Sequence, residues 1–487
     1  MSKMMGGELP RRPNVAFLHL DLGIGGAEAL VVSLATTLLP PSGDSSNIHL
    51  YTTKCEQSHC FSQLKRNSSP PGSLSSSVVV RGRFIPSSLF GFGTALLSNL
   101  RMCYLALCLV FDMYFLGLAI DVVVLDVLPS PMPLLRFLSP SLPLLYYCHF
   151  PDKLLVRNSV NGVVVTAPSS LRSLYRKPLD YVEEWATAFA DCVAVNSKFT
   201  ASVFKEAFPS IVDHVAPEVL YPAINLKDFI PPKDPAVKLS DCQRSITLLS
   251  MNRFERKKNI GLAIETMGAL RLSLPPETFE KLHLVVAGGY DPSNAENVAH
   301  LSELRSLASS LSLSASVVSF RPSVSDAERA SLLQAALLVV YTPRREHFGI
   351  VPLEAMYAGC AVLAVDEGGP KETVIDGETG FLAKDDKDVF RKKVEWCIKN
   401  VDKTVAMGQK GHEHVKNNFG LDKFETAFHA LLHKSTEKGR LKGGRRIATS
   451  LFVVFCLLCP FLGRAGTTLL VALVVAAYSR YNYNIGK

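Results

Sequence analysis

Glu346-His347-Phe348-Gly349-Ile350-Val351-Pro352-Leu353-Glu354 is the stretch around which the rest of the chain reads. Its two carboxylates are separated by seven residues. Between them lies a Phe-Gly turn, followed by a proline able to open a helix. Sugar hydroxyls are neutral donors, and an ionised carboxylate holds them by charge-assisted hydrogen bonds. Gly349 lets the backbone approach a ligand. Pro352 suits the first turn of a helix, where its missing N–H costs nothing. Such a helix aims free N–H groups and its positive end at a phosphate. This reading puts Glu346 in a loop and Glu354 in a first helical turn, both facing one sugar-nucleotide cleft. The alternative is an ordinary loop–helix junction whose acids suit the helix dipole.

The flanking sequence alternates strands with helices. Ile246–Ser250 reads as a strand, followed by a basic loop holding Arg253 and Lys258 and then the helix Ile260–Leu270. Fixed cations at a strand end can meet a diphosphate and stabilise the charge it gains on leaving, without a metal. A solvated charged loop is the competing reading. His283–Ala287 is a strand that ends in the close-approach turn Gly288-Gly289. Val317–Phe320, Ala336–Tyr341 and Ala361–Val365 are further strands, the last followed by Gly368-Gly369-Pro370.

The N-terminal half has the same grammar. The strand Asn14–Leu20 runs into Gly23-Ile-Gly25-Gly26-Ala-Glu28 and the apolar helix Leu30–Leu39, the opening of a doubly wound domain. Glu28 stands where a dinucleotide fingerprint has its third glycine, which weakens a nicotinamide-dependent oxidoreductase as a reading. A helix opened by Gly25-Gly26 still admits a phosphate, with tight strand–helix packing as the competitor. Asp121–Val127 reads as a strand buried on both faces. Leu144–Cys148 is a strand leading to His149. Ligands in open α/β sheets sit beyond strand carboxyl ends, so His149 is a candidate contact to the donor sugar, with a structural histidine as the alternative. Asp152 then orients His149 or accepts from an acceptor hydroxyl. Asn196 or Ser197 caps a helix.

These elements predict an α/β chain of two Rossmann-like domains with a cleft between them. The N-terminal domain covers 1–225, a linker 226–245, and the donor-binding domain 246–433. A basic flank at 434–446 precedes an apolar tail at 447–478. The net charge is +8, and the flank supplies +5 of it through six bases against Glu437. A basic cluster before an apolar run reads as a cytosolic membrane flank and argues against nucleic acid as partner. The tail is expected as a shallow hairpin or a span. The region 89–120 is also apolar, with Asp112 the lone charge between Met102 and Ile120. It is expected as a helix lying in or against a membrane face, or as a buried domain helix. Eleven scattered cysteines suit reduced thiols in a cytosolic compartment. No cleavable secretory leader is expected.

Taken together, Asp21–Glu28, Tyr147–Asp152, Asn252–Asn259, Val286–Asp291 and Glu346–Met356 carry a family resemblance over about residues 13–432. The chain resembles the retaining, two-domain GT-B glycosyltransferases with a Glu-x7-Glu motif (family 4 type). It is most similar to the α-1,3/1,6-mannosyltransferases of dolichol-linked oligosaccharide assembly. The resemblance implies GDP-mannose as donor, a dolichyl-diphosphate chitobiose bearing one mannose as acceptor, and two transfers with retention. It also implies the cytosolic face of the endoplasmic reticulum membrane and association with other early mannosyltransferases of that assembly. No cofactor or essential metal is implied. Arg253 and Lys258 would hold the GDP diphosphate, and Glu346 with the Phe348–Ile350 turn the mannose. Glu354 would bind the ribose, with Gly288, Gly289 and Val351 also on the donor side. Gly25, Gly26, Glu28 and Asp152 would face the acceptor or a diphosphate, and His149 the transferred sugar. Ala29, Lys153, Arg344 and Arg345 depart from the usual pattern. A transferase acting on another lipid, and an idle homologue that scaffolds sibling enzymes, are the competing functions.

Overall fold

The computed structural model describes residues 12–66, 73–88, 93–155, 170–223 and 245–458. Val122–Asp126 and Leu144–Cys148 are buried at every position, and strands of this kind need helices on both faces. In chain order the strands of the first domain are β1 (Val15–Leu18), β2 (Ile48–Thr52), β3 (Val78–Val80), β4 (Val122–Asp126), β5 (Leu144–Cys148), β6 (Cys192–Val195) and β7 (Pro217–Val219). They form one sheet in the order β3-β2-β1-β4-β5-β6-β7. The second domain contributes β8 (Ile246–Met251), β9 (Leu282–Gly288), β10 (Val318–Pro322), β11 (Leu338–Tyr341), β12 (Ala361–Val365) and β13 (Gly380–Ala383). Their order is β10-β9-β8-β11-β12-β13. Every pairing in both sheets is parallel. This is the expected pair of doubly wound domains. Each sheet reverses direction of growth once, between β1 and β4 and between β8 and β11. Ligands of such sheets bind beyond the carboxyl ends at that reversal.

The expected linker at 226–245 lies almost wholly outside the described residues, as does the tail beyond Leu458. The last described helix, Leu421–Leu458, differs from expectation in a useful way. The closing helix, the basic flank and the start of the tail are one continuous element. Phe424, Phe428, Leu431 and Leu432 pack with Phe17, Leu30 and Leu34, so this helix recrosses to cover the first domain. Lys434 Nζ pairs with Glu218 of β7 at 2.7 Å. Apolar burial, rather than chain position, decides which domain owns the helix.

The apolar region near 89–120 forms the helix Thr94–Phe115. Its inner face buries Met102, Leu105, Ala106 and Leu109 against Ala16, Leu18, Val123 and Leu125. The same face hides both of its charges. Asp112 accepts from the Tyr51 hydroxyl at 2.6 Å, and Arg101 donates to Asp21 and Thr53. The outer face exposes Leu96, Leu100, Leu107, Phe111 and Phe115. Polar groups point in and large apolar groups point out. Among the described residues it is the one helix long and apolar enough to cross a membrane, yet one side of it covers the sheet.

Candidate active site

In the second domain the site grows from the two strands at the reversal. β8 releases Asn252-Arg253, and β11 releases the loop carrying Glu346. After Arg253 the chain makes the turn Arg256–Lys258 and passes through Asn259 at φ 51°. Asparagine tolerates that left-handed conformation. The turn aims Lys258 at the neighbouring loop, where its Nζ donates to Glu346 Oε2 at 2.6 Å. Thr342 Oγ1 donates to the Lys258 carbonyl at 2.9 Å and ties the two loops together. Burial opposes ionisation of Glu346, but the charge and hydrogen bond of Lys258 outweigh it and hold the carboxyl below its usual range.

Two glycine turns support this pair. A Cβ on Gly369 would lie 2.1 Å from the Phe348 carbonyl oxygen, and the Gly369 N–H donates to the Glu346 carbonyl at 2.7 Å. Gly288 has φ 142°, and a Cβ there would lie 2.1 Å from the Asn252 carbonyl oxygen. These glycines let the ends of β9 and β12 pack under the loops that carry the charges. Arg253 is largely exposed and pairs with Glu255 at 3.1 Å. Past Glu346 the helix Ile350–Tyr357 starts at Gly349, with Pro352 in its first turn. Phe348 turns its ring inward onto Tyr221, at a centroid distance of 5.5 Å, so backbone groups of this turn are what it can offer a ligand.

In the first domain three side chains meet at the ends of adjacent strands. His19 follows β1, Asp126 ends β4 and His149 follows β5. Asp126 is fully buried and receives His19 Nδ1 at 2.7 Å and His149 Nε2 at 3.3 Å. His19 Nε2 lies 3.0 Å from the Asp21 carbonyl, which can only accept. Assigned from these partners, His19 is an imidazolium with both nitrogens donating. Burial works against that charge, yet Asp126 outweighs it and raises the His19 pKa. Burial likewise opposes the Asp126 carboxylate, and His19 and His149 outweigh it and lower its pKa. Val127, next in the chain, sits at φ 63°. A β-branched residue there carries roughly 1–3 kcal/mol of strain, a cost that clusters at functional sites. A His149 that donates Nε2–H to Asp126 presents Nδ1 to the cleft.

The domains meet across this cleft. The Phe150 ring stacks on His347 at 3.9 Å and 7°. Burial lowers the His347 pKa to about 4, so the stacked imidazole is neutral at physiological pH. Ser197 caps the helix Lys198–Ala207 and also donates to the His347 carbonyl at 2.5 Å. Glu372 accepts from the Lys198 and Phe199 N–H groups at 2.8 and 2.7 Å and from the Tyr221 hydroxyl at 3.1 Å.

The fold thus brings together Lys258, Glu346, the Gly349–Val351 backbone and, from the other domain, His149. Three expectations change. Glu354 lies in the second turn of its helix, is 6 % exposed and is paired with Arg329. Burial pushes its carboxyl up to about 7, with Arg329 pulling the other way. The carboxylate on the His149 ring is that of Asp126. Asp152 opens a short turn whose first N–H groups, its own and that of Lys153, donate to Glu183 at 2.6 and 2.9 Å. Gly288 and Gly289 build the wall behind Arg253. Around Gly26 a Cβ would meet nothing within 4 Å, whereas one on Gly25 would run into the Glu28 carboxylate, which also acts electrostatically on His19. His19, Asp126, His347 and Glu372 were not legible as site residues. One signal existed: Asp126 is a carboxylate closing an otherwise apolar strand.

Residues 238–414 match the family model for glycosyl transferases group 1. The chain is 40 % identical over 422 residues to the human α-1,3/1,6-mannosyltransferase ALG2, covering 85 % of this chain and 94 % of that protein. It is 39 % identical over 446 residues to the Rhizomucor pusillus α-1,3/1,6-mannosyltransferase ALG2, covering 86 % and 91 %. Among solved structures, a sucrose-phosphate synthase from Thermosynechococcus elongatus superposes with a TM-score of 0.62 at 19 % identity, covering 87 % of this chain and 99 % of that one. At that identity the likeness is one of fold.

Proposed function

The chain belongs to the α-1,3/1,6-mannosyltransferase family, and we propose that it transfers mannose from GDP-mannose to a dolichyl-diphosphate chitobiose bearing one mannose. One mannose is added in α-1,3 and one in α-1,6 linkage, with retention. The observation that carries this reading is the Lys258–Glu346 pair, an anion kept ionised beside a cation at the reversal of the second sheet.

Each group has a role in that proposal. An ammonium has three donors, so Lys258 can keep Glu346 and still meet a phosphate oxygen. Arg253 adds charge at the same strand end. Cations fixed there stabilise the departing diphosphate most when its charge is greatest. Glu346 and the Gly349–Val351 backbone orient the mannose, and Glu354 with Arg329 forms the buried wall on the nucleoside side. His149 lies beside the transferred sugar. The bond from mannose C1 to the phosphate oxygen breaks, and the bond from C1 to the acceptor oxygen forms. The acceptor proton passes to the departing phosphate, so no side-chain base is needed. No essential metal is assigned. We place the enzyme on the cytosolic face of the endoplasmic reticulum membrane, and the apolar outer face of Thr94–Phe115 supports contact with a membrane surface.

Full-length protein in detergent, given GDP-mannose and the lipid-linked acceptor, is expected to add two hexoses, read by product mass, with EDTA without effect. No added hexose refutes the reading. Glu346→Ala is expected to abolish transfer while GDP binding, measured calorimetrically, is largely kept.

A further inference from the structure

Between Ser45 and Phe111 the sequence holds six basic residues and a single acid, Glu56. Arg101 is buried against Asp21, and Lys54 pairs with Glu56 at 2.9 Å, while Lys65, Arg66, Arg81 and Arg83 are exposed. The fold gathers several of them at one edge. Lys54 follows β2, and Arg81 and Arg83 follow β3. The two strands pair in parallel with Thr52 opposite Val80, and the Arg81 N–H donates to the Thr52 carbonyl at 2.9 Å. Their loops therefore leave side by side. The Arg66 N–H donates to the Gln57 side chain at 2.8 Å, which ties Arg66 to the loop that follows β2, and both Arg66 and Arg83 lie within electrostatic reach of the Cys55 thiol.

This edge continues the candidate active site. Along the carboxyl edge of the first sheet the order is His149, Asp126, His19, Lys54, then Arg83, while the Arg81 side chain turns back beside Tyr51 and Asp112 on the helix-covered face. The Leu22 N–H donates to the Lys54 carbonyl at 2.8 Å, so the Gly23–Gly26 loop adjoins the basic loop. β3 stands four strands from β5, which leads to His149, roughly 19 Å at the usual strand spacing. Three pyranose rings with the diphosphate at one end cover a comparable distance.

The basic edge also adjoins the apolar helix face. Gly82 lies against the Tyr104 ring, and Phe84 packs edge-on to the same ring at 5.1 Å while remaining 72 % exposed. Tyr104 belongs to the helix whose outer face carries Leu96, Leu100, Leu107 and Phe111. Cations and hydrocarbon-compatible surface therefore share one seam. A free nucleotide has no use for such an apolar flank, whereas a lipid with an anionic head fits both halves.

Resting on the proposed acceptor, we propose that Arg66 and Arg83, with Lys54, receive the diphosphate of the polyisoprenyl-linked acceptor, whose chain lies along the outer face of Thr94–Phe115. Its sugars then run along the carboxyl edge toward His149, and the reacting hydroxyl arrives at the interdomain cleft.

The test uses full-length protein in nonionic detergent and the double variant Arg66→Gln/Arg83→Gln. The readout is kcat/KM on the lipid-diphosphate acceptor divided by kcat/KM on the same trisaccharide without lipid or diphosphate. That ratio is expected to fall by about tenfold or more, as lost charge-assisted contacts predict. Arg66→Lys/Arg83→Lys is expected to recover most of it. An unchanged ratio overturns the assignment. So does a loss seen with anionic phospholipid vesicles but absent in detergent, which would make the patch a reader of the bilayer. Binding of a C20 prenyl diphosphate, measured without any transfer, separates this assignment from the reaction itself. Weaker binding to the Gln variant supports the site even if GDP-mannose proves not to be the donor, and equal binding overturns it even if transfer proceeds.

Discussion

Lys258 acts on Glu346 through charge as well as position. Burial alone would raise the Glu346 pKa, and Lys258 reverses the sign. A group depressed in this way is ionised above its lowered pKa and loses its charge as pH falls through it. In Lys258→Gln, only the weaker influence of neighbours such as Lys257 still opposes burial, and the pKa rises. The acid limb of residual kcat against pH is therefore expected to move up by about one unit or more. A limb that stays in place would show that Glu346 ionisation does not govern the rate. Asp126 and His19 form a second charged pair with opposite shifts. The carboxylate contributes stability above its unfolded pKa of about 3.9, a contribution lost as pH falls through its lowered folded value. The imidazolium contributes fully below about 6.5 and loses its contribution as pH rises through its raised value. Asp126→Asn leaves His19 buried without a counter-charge and is expected to cost about 3 kcal/mol near pH 6 in urea unfolding. The loss should shrink as pH rises and both His19 states become neutral.

At the scale of one element, Thr94–Phe115 shows why hydropathy alone cannot place a helix. Its mean character is apolar, but the charged side chains define which face is inside. Tyr51 and Asp112 share a buried hydrogen bond of 2.6 Å, so turning the helix over would strand an acid. The outer face is free to meet lipid. Phe111→Glu with Phe115→Glu is expected to cut flotation with liposomes severalfold while leaving the unfolding midpoint nearly unchanged, since exposed substitutions usually stay within about 0.5 kcal/mol. A large loss of stability would mean that this face packs on protein instead.

At the scale of the whole molecule, polar and aromatic contacts among the described residues hold the two domains together. Glu372 of the second domain caps two N–H groups at the start of Lys198–Ala207 in the first. A carboxylate at a helix N-terminus gains from charge as well as hydrogen bonding. The Phe150–His347 stack and the Ser197 hydrogen bond lie beside it. Glu372→Ala is expected to widen the interdomain angle, seen as a larger radius of gyration in X-ray scattering, and to lower kcat/KM by about tenfold. An unchanged radius with normal activity would remove Glu372 from closure.

The sequence by itself determined the two doubly wound domains, because buried strands and glycine turns at strand ends are local signals. It also placed Lys258, Glu346 and His149 at carboxyl ends, where such sheets bind ligands. Tertiary structure decided what those residues touch. Asp126 and His19 are separated by 107 positions yet lie 2.7 Å apart, and no periodicity encodes that distance. Chain position likewise could not reveal that Glu354 is buried against Arg329 or that Phe348 turns away from the cleft. The last helix belongs to the first domain for the same reason: apolar surface is buried against whatever faces it, however far away in sequence.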